Sequence, residues 1–365
     1  MDNFWIVAGK LVTPSGIRDG ALCIAHGRIA AVARRAPRDA KRVDARGAYV
    51  APGFIDLHVW GHPSVVARDA VRSGTTAFLT TLGPEPTSAL TRAVSARAAV
   101  ADGRGGARCL GLHLEGPFLN PMRGGVLPHR AMRAPTLREL TRLWRASGGR
   151  LKLMTLAPEL RGAAAAIRWC RRRRIAVSLG HSDADARQAV QAVRAGARAV
   201  THVFNGMRSL HHRDAGLLGV ALTDQRLTTM VIADGVHVGP TALRLLARAK
   251  GRARIALVTD SVRHQARAWR LRKRRAGGAY YASDGTLAGS GLTMIDAVRS
   301  MVMLGGASLS EAVEMASAVP ARVLGLERSR GALAVGRRAD LTVFDRRFRI
   351  GLTLVDGNIS YQRGH

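Results

Sequence analysis

Between residues 54 and 260 one unit recurs along the chain, a short apolar run followed by a longer amphipathic stretch. The runs at 54–59, 75–82, 109–115, 151–156, 176–180, 199–204, 228–233 and 255–260 read as buried strands. Stretches 87–101, 136–145, 162–172, 184–195 and 240–250 carry apolar residues at helical spacing. Parallel strands need crossover connections, and eight strands alternating with helices close most simply into a (β/α)8 barrel. Helical stretches 294–303 and 309–318 would complete it.

The flanks are written differently. Residues 4–12, 21–25 and 28–33 alternate as strands, with Gly16, Gly20 and His26-Gly27 as turns; residues 341–344 and 351–355 return to that style before an Asp356-Gly357 hairpin signal and a last strand at 358–361. The chain is thus expected to be α/β, a (β/α)8 TIM barrel over residues 52–334 with a small β-sandwich domain formed by both termini, residues 1–51 and 335–365. A hydrophobic content of 47% is ample for such a core. No run of 18 or so uncharged apolar residues exists, and the first residues lack the basic and apolar regions of a secretory signal, so a cytoplasmic location is expected. Cys23, Cys109 and Cys170 lack metal or redox spacing and read as buried thiols.

In a parallel barrel the C-terminal strand ends gather on one face, where barrel enzymes keep their chemistry. Here that face would present His58, Glu115, His181, His202 and Asp260, with His237 three residues after Asp234. A lone histidine is more often structural than functional, but imidazoles and carboxylates gathered together suit a metal. Glu115, His181 and His202 can supply three ligands to Zn2+ and leave a fourth position for water, whose pKa then falls from about 15.7 towards roughly 7. Asp260 is left free as the base. His113 shares strand parity with Glu115, so it either orients a ligand or simply packs inward.

The formal net charge is +32 and comes almost wholly from arginine, with clusters at 171–174 and 270–275. Such charge favours acidic surfaces and steers anionic substrates. Nucleic acid is not the expected partner: aromatic content is 4% and no nucleic-acid-binding motif appears. A solvated surface shaped by genomic composition accounts for the arginines.

Read together, PGFIDLH (52–58), GLHLEGPFLNP (111–121), TLAPE (155–159), GHS (180–182), THVFNGM (201–207), DGVHV (234–238), VTDS (258–261) and LAGSGLTM (287–294) resemble the N-acetylglucosamine-6-phosphate deacetylase family of the amidohydrolase superfamily. The resemblance spans nearly the whole chain, and the order of HLEGP, GHS, TH…N and DG-x-HV is specific. It implies a small-molecule phosphorylated amino sugar as substrate, one divalent metal such as Zn2+, and a homodimer. Matched position by position, it implies metal ligands at Glu115, His181 and His202, an acid/base at Asp260, a carbonyl contact at His237, and phosphate contacts at Arg213 and around Asn205 and Gly206. It also implies deacetylation, in which a metal-activated water attacks the acetamide and Asp260 protonates the departing amine.

Some positions depart from that pattern. Members with a second metal carry His-x-His on the first strand, whereas His58-Val59-Trp60 stands here, so one metal is expected and His58 lies behind it or is structural. His62 reads as surface. Leu127 replaces a substrate-contacting histidine, for which His129 could substitute, and the arginine-rich loop 261–275 is unusual. The alternatives are an amidohydrolase acting on another amide or cyclic amide, and a non-enzymatic arginine-rich binding protein.

Overall fold

The computed structural model describes residues 3–100, 103, 105–273 and 278–364. Eight parallel strands pair in chain order: β1 (Phe54–Trp60), β2 (Thr75–Leu82), β3 (Arg108–Glu115), β4 (Leu151–Leu156), β5 (Ala176–Leu179), β6 (Ala199–Val200), β7 (Thr228–Val231) and β8 (Ile255–Leu257). The chain just past β8 returns to β1. Val59 and Ser261 form a parallel bridge, Trp60 N donates to Ser261 O (3.0 Å), and Asp260 N donates to His58 O (2.8 Å). The barrel is closed, as the strand–helix alternation predicts.

Two apolar layers hold it. Ile55, Leu57, Ala77, Leu79, Leu153, Met230, Ile232, Ala256 and Val258 belong to one buried cluster. Leu112, Leu114, Val200 and Leu257 pack instead with the surrounding helices. On β3 this split follows parity: Leu112 and Leu114 face the helices, and His113 and Glu115 turn the other way.

Strands β6, β7 and β8 are shorter than their apolar runs, for a local reason in β6 and β8. Beyond them His202 (φ 28°), Phe204 (φ 79°) and Asp260 (φ 47°) adopt left-handed backbone, which breaks the ladder; His181 (φ 47°) does the same after β5. Periodicity also misses the helix Gly216–Thr223, because that segment is buried nearly all round and shows no polar face.

The terminal strands form one hydrogen-bonded sheet rather than two separate ones. One edge strand, Arg28–Ala33, and the turn before it are tied to the segment that leads into the strand Leu341–Phe344, with Ile29 N donating to Arg337 O and Ala339 N to Gly27 O, both at 2.9 Å. The curved sheet encloses its own apolar core of Ile6, Leu22, Ile29, Leu341 and Leu354 among others. Of the arginine cluster at 171–174, Arg173 lies 3.9 Å over Trp169 and 5.2 Å from Trp144, so part of that charge is spent on intramolecular cation–π contact. Positions 274 and 275 of the second cluster lie outside the described residues.

Candidate active site

Each ligand candidate ends a strand. Glu115 closes β3, and His181 and His202 follow β5 and β6 in left-handed turns that swing their rings inward at a cost of about 1 kcal/mol or more apiece. The result is a tight triangle: His181 Nε2 to Glu115 Oε1 3.0 Å, His202 Nε2 to the same oxygen 2.8 Å, and the two Nε2 atoms 3.1 Å apart.

The other ring nitrogens show what this triangle is for. His181 Nδ1 donates to Arg123 O at 2.7 Å, and His202 Nδ1 faces Asn205 O at 3.2 Å. A carbonyl can only accept, so in the neutral form both Nε2 atoms carry lone pairs. Three acceptors then point at one another, an arrangement that needs positive charge among them, either extra protons or a cation. Zinc–ligand bonds of about 2.0–2.1 Å in tetrahedral geometry set donors about 3.3 Å apart, close to the spacing found. The donor set therefore fits a divalent metal.

His58, Glu115 and His202 also offer donor atoms within 4.8 Å of one another. His58 is fully buried, with Nε2 3.0 Å from Asp260 Oδ1 and 3.5 Å from Glu115 Oε2, an ion-pair distance without the alignment of a hydrogen bond. Burial alone would lower its pKa, but the Glu115 and Asp260 charges outweigh that and raise it to about 9. A proton suits this nitrogen better than a metal does. His113, for which orienting a ligand and packing inward are both expected, meets His58 at Nδ1 (2.9 Å) and Thr155 Oγ1 at Nε2 (2.7 Å). Burial and the charge of His58 hold its pKa well below the usual histidine range, so neutral His113 accepts from His58.

Burial would raise the Glu115 pKa, but His58, His181 and His202 overcome it and hold the carboxyl well below its ordinary value. Burial likewise opposes the ionisation of Asp260, and His58 outweighs it. In His181 burial is outweighed by Glu115, and the pKa rises. Asp260 Oδ1 also accepts from Trp60 Nε1 at 2.8 Å, while Oδ2 has no protein partner among the described residues. A carboxylate pinned by one oxygen and free at the other is arranged for proton transfer.

His237 lines the same cleft, of about 240 Å3, with Asn205, Gly206 and Asp260. Its Nδ1 lies 2.6 Å from Asp234 Oδ2, and Asp234 Oδ1 accepts from His237 N at 2.8 Å, which turns Nε2 towards the cleft. Asn205 donates its side-chain amide to His202 O (3.3 Å), and Gly206 O accepts from Ser182 N (3.0 Å).

Two expected contacts lie elsewhere. His129 is exposed and bonds Gly125 O at 2.9 Å, bracing a loop at the cleft rather than lining it. Arg213 is exposed, with Nη1 3.1 Å from His212 Nε2, and it is absent from the cleft lining. His62 is at the surface beside Ser64, as expected.

Sequence reasoning missed several residues that build the site. Trp60 was read only as a non-ligand, yet it holds Asp260. Asp234 aims His237. Glu159 accepts from Asn120 Nδ2 (2.9 Å), Ser182 Oγ (2.7 Å) and Asp183 N (2.7 Å), tying the loop after β4 to the turn that carries His181. Asp234 lies inside a quoted motif, where a carboxylate two or three residues before backbone N–H groups is the available signal; the partners of Glu159 are distant in sequence, and no local signal marks it.

A model of the amidohydrolase family matches residues 49–360. N-acetylglucosamine-6-phosphate deacetylase of Bacillus subtilis (strain 168) is 35% identical, covering 94% of this chain and 93% of that protein. N-acetylgalactosamine-6-phosphate deacetylase of Escherichia coli O157:H7 is also 35% identical, with 97% and 98% covered. Human N-acetylglucosamine-6-phosphate deacetylase is 34% identical, with 99% and 92% covered. Among solved structures, the Pasteurella multocida N-acetylglucosamine-6-phosphate deacetylase superposes with TM-score 0.88 at 28% identity, over 98% of this chain and 99% of that one. An aspartate-to-alanine mutant of the Mycobacterium smegmatis enzyme, in complex with N-acetyl-D-glucosamine-6-phosphate, gives 0.87 at 31%, over 99% and 100%.

Proposed function

The chain belongs to the amidohydrolase family and groups within it with the N-acetylglucosamine-6-phosphate deacetylases, and from that premise we propose that it hydrolyses N-acetylglucosamine 6-phosphate to glucosamine 6-phosphate and acetate. The observation that carries the reading is the triangle of Glu115, His181 and His202, whose three acceptor atoms converge beside a carboxylate with one free oxygen.

Those three residues would hold one divalent ion, which we take to be Zn2+ because two imidazoles and a carboxylate are a common zinc donor set. Bound there, the ion would polarise the amide carbonyl and acidify a water. The protein's own groups do the rest. Asp260 takes the proton of the attacking water on Oδ2 and returns it to the departing nitrogen, while Trp60 and His58 keep Oδ1 still. His237, aimed by Asp234, turns Nε2 towards the oxygen that gains charge as the carbonyl is attacked. Asn205 and Gly206 border the substrate, and Arg213 would meet the phosphate at the rim rather than inside the cleft.

Acetate release from the sugar phosphate by metal-loaded protein tests this directly. Asp260→Asn should lower kcat about 10²–10⁴-fold while leaving metal content unchanged. Absence of turnover with several divalent metals and both N-acetylhexosamine 6-phosphates would overturn the reading. A second reading, hydrolysis of another amide or cyclic amide, draws on a specific feature: among the described residues no arginine or lysine lines the cleft, and Leu127, Trp60 and Trp269 do. Activity on unphosphorylated amides that survives Arg213→Ala would favour it.

The same reading makes the protein a cytoplasmic homodimer without a nucleic-acid partner, with residues 52–334 as the hydrolase domain and 1–51 with 335–365 as the small domain. Cys23, Cys109 and Cys170 form no disulfide, and no described helix is long and apolar enough to cross a membrane.

A further inference from the structure

One side of the cleft is built differently from the rest. The metal donors, Asn205 and His237 make it polar; across from them Trp60, Leu127, Val262, Trp269 and Leu287 make it apolar. Trp60 is 5% exposed and fixed at both edges, by its Nε1 bond to Asp260 and by Gly83, where a Cβ would lie 3.1 Å from Cη2. Trp269 meets it edge-on, with ring centroids 4.9 Å apart and planes at 71°, yet remains 39% exposed.

Trp269 does not ride on a loose tip. Trp269 N donates to Gln265 O and Ala266 N to Val262 O, and Leu271 N closes the turn on Ala266 O. Arg263 and His264 on the same turn pair with Asp69 of the helix Pro63–Ala70. An indole held this firmly in a cleft, with over a third of its surface bare, is suited to an apolar face of the ligand.

We infer that Trp269, backed by Trp60, is the platform on which the ring of the leaving amino sugar stacks, and that it selects ring-bearing amides over open-chain ones. The inference rests on the proposed deacetylase reading. Asp260 must reach the leaving nitrogen, and Trp60 Nε1 sits 2.8 Å from that carboxylate. The substituent on nitrogen therefore departs alongside the two indoles. A pyranose presents C–H groups on its faces and hydroxyls around its rim, so an indole attracts the faces and leaves the hydroxyls to water or to the polar side. Leu127 extends the wall without adding a donor, so contact and shape select the ring here.

The test compares two phosphorylated acetamides, N-acetylglucosamine 6-phosphate and the open-chain N-acetylethanolamine phosphate, the latter as substrate or through its Ki as competitor. Trp269→Ala should raise KM for the sugar about tenfold, with kcat changed less than about threefold, and leave the open-chain constant unchanged. Trp269→Phe should restore most of the sugar affinity. Tryptophan emission of the wild type should change on titration with glucosamine 6-phosphate, and Trp269→Phe should lose that change. An equal penalty on both acetamides, a loss confined to kcat, or an unchanged sugar KM overturns the platform while leaving deacetylation standing. A wild type that releases no acetate from either overturns the deacetylase reading and the platform with it.

Discussion

The tautomer lock on His181 can be attacked at a residue that carries no side chain. Gly206 has φ +61°, and a Cβ there would lie 3.0 Å from His181 Nδ1 and 3.2 Å from Arg123 O, the donor and acceptor of the bond that fixes the ring. Gly206→Ala therefore has two separable effects. Left-handed alanine costs about 1–2 kcal/mol of stability. The methyl also wedges against both ends of the Nδ1–carbonyl bond, and losing such an outer contact lowers metal affinity about 10–100-fold, or about 1.4–2.7 kcal/mol. Gly148→Ala is the control, since Gly148 has φ +55° and nothing within 4 Å of its would-be Cβ. Urea unfolding of the metal-free proteins should show similar losses for both variants. Metal dissociation constants, measured by competition with a chromophoric chelator, should rise for Gly206→Ala alone. If Gly206→Ala folds and binds metal within about twofold of wild type, the carbonyl contact is not what presents His181 Nε2, and the reasoning fails.

Further expectations follow from other buried groups. His58 is raised to about 9 while Glu115 and Asp260 are both charged; a cation on Glu115 removes much of that support, so metal loading at pH 7.5 should release protons, read as buffer-dependent heats in calorimetry. His58→Asn should reduce that release, and buffer-independent heats in the wild type would refute the assignment. Asp56 is buried and, although bonds from Thr259 and His58 N oppose it, burial raises its pKa to about 6. The folded state thus binds its proton more tightly than the unfolded state, and wild-type stability should fall as pH rises from about 4 to 6, by about 3 kcal/mol at most. Asp56→Asn should flatten that profile in urea unfolding across pH 4–7; an identical slope in both proteins would exclude Asp56 as its source. Glu159→Ala strips the partner from Asn120, Ser182 and Asp183, so it should cost about 2–3 kcal/mol of stability and weaken metal binding, whereas undiminished stability would show that those donors find water.

What was legible in the sequence was whatever has a period or a composition. Eight apolar runs and their intervening helices gave the barrel, and Glu115, His181, His202 and Asp260 stood out because each follows such a run. The arrangement of the site was less legible because it depends on backbone leaving its period. His181, His202 and Asp260 turn left-handed just where the strands stop, so no pattern count could place their side chains or end β6 and β8 correctly. Trp60 looked like the loss of a ligand, and only the closure of β8 onto β1 shows its N–H meeting Asp260, 200 residues away in sequence. Arg213 rests on the match of its segment to the family's phosphate-binding arginine, and His129 on its position two residues after Leu127. Their loops run along the rim, and nothing in a linear motif states which side of a loop faces the cleft.

Charge balance links the metal to these buried groups. Glu115 and Asp260 bring two negative charges into a cavity that burial makes hostile to them, and those charges raise the pKa values of His58 and His181. With both histidines protonated the cluster is neutral. A divalent ion placed among Glu115, His181 and His202 restores the same neutrality only if both protons leave: His181 must give up the proton on Nε2 to ligate, and His58 loses the Glu115 charge that kept its own. One metal thus exchanges for as many as two protons, and the logarithm of the metal dissociation constant should fall by up to about two for each pH unit gained below the histidine pKa values.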